Sequence, residues 1–143
     1  MNTQDRDSAC RDFSIRPSGK RPIAFRGEEL ASATSKRTSG QTSTRWHDLT
    51  LFKTEGGSYV LKIVFRTQWE NEIDRIWAEV LADPVLVAEA LEEHDPTPEG
   101  IGFPHGDSYR EKQQRLEADL RVRFQDAVSE LLEDLPGCEQ VIP

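Results

Sequence analysis

The run from Arg45 to Thr67 constrains this chain more than any other stretch. Two segments rich in β-branched and aromatic residues flank Glu55-Gly56-Gly57, the sequence form of a β-hairpin. In the second segment Tyr59, Leu61, Ile63 and Phe65 share one face, and Val60, Lys62, Val64 and Arg66 share the other. In the first, Leu49 and Leu51 oppose Trp46, Asp48, Thr50 and Phe52. A two-residue loop would set Leu51 against Val60 and mix the faces. A three-residue loop sets Leu51 against Leu61 and Leu49 against Ile63, with Gly57 free to take the positive φ that such loops end on. A slip of one residue would turn every apolar side chain over, so the three-residue loop is expected. The same register places Trp46 near Arg66 and Asp48 diagonal to Lys62. It leaves the second face amphipathic and half-buried.

The remaining segments are placed around this hairpin. Residues 1–19 are polar, with Phe13 and Ile15 as lone apolar side chains, and read as a flexible tail. Arg21–Gly27 reads as a short extended segment that Pro22 confines to a strand start or sheet edge. Gly27–Ala31 reads as one helical turn. Residues 32–44 hold eight Ser or Thr among thirteen and read as a solvated loop. After a turn at 68–72, the segment 75–81 fits either a helix or a strand. Asp83-Pro84 announces a new helix with its N-cap and first-position proline, and a helix rarely runs into such a proline, so 75–81 is expected to be a strand. A short helix over 84–93 then turns Leu86, Val87, Ala90 and Leu91 inward. Residues 94–107 form a Pro/Gly-rich loop. Ser108-Tyr-Arg-Glu111 is a capping-box pattern opening a long amphipathic helix to about Leu135, stopped by Pro136-Gly137. Its stripe is broad only from Phe124 onward, which predicts that 124–135 pack on the sheet while 109–120 project outward or meet a partner.

The expected fold is therefore α+β. A single domain over 20–137 carries a small antiparallel sheet of three or four strands, with the short helix and the long C-terminal helix packed on one face, and 138–143 form a tail.

Charge limits the partners. Of the net −8 on 143 residues, residues 1–45 carry +4 and residues 46–143 carry −12. The acidic body would repel a polyanion, which leaves only weak nucleic-acid contact through the arm, at Lys36, Arg37 and Arg45. Cys10 and Cys138 lie at opposite ends without a C-x-x-C pair, as suits a reducing cytoplasm. The first twenty residues lack a signal-like apolar run, and no run is long enough to span a membrane.

No motif implies a specific chemistry. His94 and His105, with Asp95 and Asp107, share one loop but lack rigid metal-ligand spacing, so no metal or other cofactor is expected. His47 falls on the core side of the hairpin, where a hydrogen-bonded structural histidine is expected. Carboxylate pairs such as Glu70/Glu72 and Glu133/Asp134 read as solvated. The Ser/Thr-rich loop lacks the spacing of a phosphate-binding loop. No G-x-S-x-G elbow is present.

Arg21-Pro-Ile-Ala-Phe-Arg-Gly and the hairpin from Arg45 to Val60 together resemble small bacterial proteins of the EXLDI family, which share an arginine-rich approach and a Gly-containing hairpin. The chain ends Cys138-Glu-Gln-Val-Ile-Pro143, without the Glu-x-Leu-Asp-Ile ending. The resemblance implies no activity. The reading reached is a non-catalytic bacterial interaction or regulatory protein, acting on a protein partner through Trp46, Phe52, Val60, Val64 and Arg66. Leu116 on the long helix is a second contact, to a partner or to another copy of the chain. A nucleic-acid accessory protein is the alternative, and a small enzyme of unknown reaction comes after it.

Overall fold

The computed structural model describes residues 10–36, 44–97 and 107–142. Five strands lie in chain order in one antiparallel sheet: β1 Arg11–Ile15, β2 Ile23–Thr34, β3 Arg45–Thr54, β4 Tyr59–Thr67 and β5 Arg75–Leu81. Two helices follow, α1 Pro84–Glu93 and α2 Asp107–Glu133. The class is α+β as expected, but the sheet has five strands rather than three or four.

The hairpin register holds residue by residue. Leu51 faces Leu61, Leu49 faces Ile63 and Trp46 faces Arg66. Gly57 has φ +94°, and the Thr54 amide donates to the Ser58 carbonyl at 2.8 Å to close the loop. Asp83 caps α1 by accepting the Leu86 amide at 2.9 Å, and Pro84 opens the helix. α1 buries Val87, Ala88 and Leu91, whereas Leu86 is exposed. α2 begins at Asp107, one residue before the expected Ser108 cap.

Three expectations fail in the amino-terminal third. Residues 11–15 are a strand, not tail, because Phe13 and Ile15 pair with Phe25 and Ile23 across β1 and β2. Gly27–Ala31 is not a helical turn, and Ser32–Thr34 is not loop. All belong to one twelve-residue strand, paired with β1 over 23–27 and with β3 from Gly27 onward, with an irregularity between Glu29 and Ala31 that leaves Leu30 outside the ladder. Gly27 sits where a Cβ would run into the Lys53 carbonyl oxygen, so the strand crosses β3 closely only without a side chain.

The sheet curls until its ends meet. Ser18, just after β1, donates its amide to the Ile76 carbonyl on β5 at 2.8 Å, and its hydroxyl accepts the Ile76 amide at 2.9 Å. Inside the curl, Ile15, Phe52 and Val60 are buried against Phe13, Phe25, Ile76 and Ala78. The main core lies on the outer face. There Leu49, Leu51, Leu61 and Ile63 pack under Val87 and Leu91 of α1 and under Phe124, Ala127 and Leu131 of α2. The first half of α2 does not simply project. Leu120 is fully buried against Phe65, and Leu116 is partly buried beside Trp77. No helix among the described residues is long and apolar enough to cross a membrane.

Candidate functional site

The inner face of the curled sheet is filled unevenly. Near the β3–β4 turn, Phe13, Phe25 and Phe52 pack ring on ring with centroids 4.8 to 5.3 Å apart. Toward the other end of β3 and β4 the inner positions become short and polar. Ser32 and Thr34 on β2, Asp48 and Thr50 on β3, and Lys62, Val64 and Arg66 on β4 line a shallow groove of about 410 Å³, with Glu130 of α2 at its rim. Alternation puts the β3 and β4 side chains on one face, and the β2–β3 register, shifted between Glu29 and Ala31, brings Ser32 and Thr34 beside them.

The charges in the groove differ in how they are held. Asp48 accepts from Thr34 Oγ1 at 2.7 Å and from Arg66 Nε at 3.0 Å. Arg66 also lies 3.5 Å from the Asp74 carboxylate. Lys62 is half-buried between Thr50 on β3 and Ala78 on β5, and no ion pair or hydrogen bond of its side chain is found among the described residues. Sequence alternation placed Lys62 on this face but did not single it out. A lone lysine between Val60 and Val64 was the available signal.

The residues expected to meet a partner are divided by the curl. Phe52 and Val60 are buried inside it and offer no surface to a protein partner, while Val64 is buried at the floor of the polar groove. Arg66 is exposed but engaged as above. Trp46 is half-buried, with the Lys36 ammonium 4.5 Å above its ring. Leu116 belongs to the packing of α2. The proposed nucleic-acid arm is similarly changed. Arg45 is buried, and its guanidinium grips Glu72 through Nε–Oε1 at 2.8 Å and Nη2–Oε2, with Trp69 over its face at 5.2 Å. That pair holds the Glu72 carboxyl below its usual range, with the Thr67 hydroxyl also donating to it. Arg37 lies outside the described residues.

A second constellation sits on the outer face. His47 is fully buried, its ring 5.4 Å from Phe65 and 5.1 Å from Phe124. His94, just past α1, lies between Trp77 at 4.7 Å and Phe124 at 5.5 Å. Neither ring nitrogen of His47 reaches a hydrogen-bond partner at good geometry, and the same holds for His94 Nε2, so the expected hydrogen-bonded histidine is instead one caged by aromatic rings. Burial pushes the His47 pKa down to about 4. The charges of His94 and Arg123 push the same way, against the Pro96 backbone and the Asp48 carboxylate. Burial lowers His94 too, with Asp95 opposing. No group of three or more His, Cys, Asp or Glu among the described residues is arranged to hold a metal ion, and His105 lies outside those residues. His94 also borders two clefts. One, of about 420 Å³, lies between the end of α1 and α2, and the other, of about 270 Å³, lies along the outer edge of β5.

Comparison with protein-family models, with curated proteins and with solved structures gave no match.

Proposed function

We propose that this protein is a non-catalytic binding module that works through the concave face of its curled sheet, in the cytoplasm of a bacterium. The observation that carries the reading is the groove over β2, β3 and β4. Its volume falls in the range of small-ligand sites, and its floor keeps one half-buried cation without a partner among the described residues. The lysine stem lies along the sheet and its ammonium is left for a ligand that can reach the groove. Non-catalytic action is favoured by where the two described histidines sit. Both lie on the opposite face of the sheet from the groove, His47 buried among aromatic rings and His94 between Trp77 and Phe124. A cytoplasmic setting accords with Cys10 and Cys138 both being free thiols.

The test is a fragment screen read on assigned backbone amides. Ligands should perturb Ser32–Thr34, Asp48–Thr50 and Lys62–Arg66 together, and Thr50→Trp, which fills the groove from its middle strand, should abolish the effect. Hits that map only to the cleft between α1 and α2, or that survive Thr50→Trp, would discard the reading.

A further inference from the structure

Resting on that reading of the groove, we infer that its ligand is a small organic acid with a single carboxylate, received by Lys62 with the hydroxyls of Ser32 and Thr50 beside it. The inference follows from which polar groups are already used. Asp48 accepts from both Thr34 and Arg66, and Arg66 is shared between Asp48 and Asp74. Those four side chains satisfy one another. What remains on the floor is the Lys62 ammonium, opposite Thr50 in the β3–β4 register, with Ser32 opposite Thr50 in the β2–β3 register. An ammonium supplies donors only, and a hydroxyl can turn its proton toward an acceptor, so the unused set matches a ligand oxygen bearing negative charge.

The number of charges sets the class of anion. Arg66 is already paired with both Asp48 and Asp74, so Lys62 is the groove's one cation with no ion pair among the described residues, while Glu130 stands at the rim. One unneutralised cation compensates one negative charge. A phosphate dianion or a nucleic-acid backbone would bring excess negative charge beside three carboxylates, on a chain of net −8. A monocarboxylate meets the cation with the least of that repulsion. Its hydrocarbon part has the buried Val64 and the threonine methyl groups to lie against.

The probe is butyrate, titrated into the full-length protein while backbone amides are followed by NMR, with butyramide and inorganic phosphate as comparisons. Butyrate should shift Ser32, Thr50 and Lys62 together and saturate on the order of millimolar, as an accessible charge pair allows. Butyramide should need about tenfold more or give no shift, because the charged acceptor is gone. Phosphate should bind more weakly than butyrate. Lys62→Gln should remove the butyrate shifts while leaving the thermal melt unchanged, since no described group loses a partner. If butyramide matches butyrate, or Lys62→Gln binds as the parent does, the carboxylate inference falls while the groove reading stands. If phosphate binds more tightly than butyrate, the monoanion argument falls. If neither butyrate nor any screened fragment shifts the groove amides, both fall.

Discussion

The amide of Ser18 donates to the carbonyl of Ile76 at 2.8 Å, and the Ser18 hydroxyl accepts the Ile76 amide in return. This pair of bonds joins the segment after the first strand to the last strand. It turns a five-stranded meander into a curl, with Phe13 and Ile15 brought over Phe52 and Val60. A flat sheet would have left those apolar positions in water. The curl encloses them and, because β1 is only five residues long, leaves the polar groove open beyond its end.

Acid should loosen the outer core. His47 titrates near 6.5 when unfolded and at about 4 when folded, so its neutral form is the one the fold favours. The stability this represents is present in full above pH 6.5 and is lost as pH falls from 6.5 through 4, amounting to about 3 kcal/mol. His94 shifts the same way and adds to the loss, whereas Asp48 and Asp95 moderate it. Denaturant melts between pH 7.5 and 4 should show the decline, and His47→Phe should flatten it. An equally steep decline in His47→Phe would assign the effect to other groups.

The Arg45–Glu72 pair should matter more than a surface ion pair. Both side chains are less than a tenth exposed. Glu72→Gln should cost about 1.5 to 3 kcal/mol, because it leaves a buried guanidinium with a neutral acceptor. Since the Glu72 carboxyl is held below its usual range, its contribution is present above about pH 4.5 and is lost as pH falls through the folded pKa. A melting temperature unchanged by Glu72→Gln at neutral pH would show the pair to be idle.

Two positions on α2 should respond differently to a buried charge. Leu131 is fully buried in the main core, so Leu131→Asp should prevent folding. Leu116 is only partly buried beside Phe65 and Trp77, so Leu116→Asp should lower stability by about 1 to 2 kcal/mol and leave a folded protein. Thermal melts by circular dichroism separate the two. Equal losses would mean that the first half of α2 is as much core as the second.

Alanine at two glycines should give unequal penalties for different reasons. Gly57→Ala places a Cβ in open space but at φ +94°, and should cost about 1 kcal/mol. Gly27→Ala forces a Cβ against the Lys53 carbonyl, and β2 must move away from β3 to admit it. It should cost more than Gly57→Ala and disturb the Phe25 and Phe52 ring signals. Finding Gly27→Ala the milder of the two would argue against the close crossing.

The hairpin, the strand over 75–81 and both helices were readable in the chain because each is governed by neighbours a few residues away. Leu49, Leu51, Leu61 and Ile63 alternate with polar residues, Gly57 suits only one loop length, and Asp83-Pro84 ends one element and begins another. The failures share the opposite property. Phe13 and Ile15 look like stray apolar residues until β2 lies beside them. Glu28-Glu29-Leu30-Ala31 has helical character, and only the ladder with β3, joined by β1 as far as Gly27, makes it strand. Arg45 reads as part of a basic arm because a sequence cannot show that Glu72, 27 residues on, will neutralise and bury it. Local alternation determined which β3 and β4 side chains share a face with Lys62, while Ser32 and Thr34 join them only through the β2–β3 pairing. Tertiary structure alone decided that this face is concave and that Arg66 is already paired while Lys62 has no partner among the described residues. Curvature and charge pairing depend on strands far apart in the chain being held at hydrogen-bonding distance.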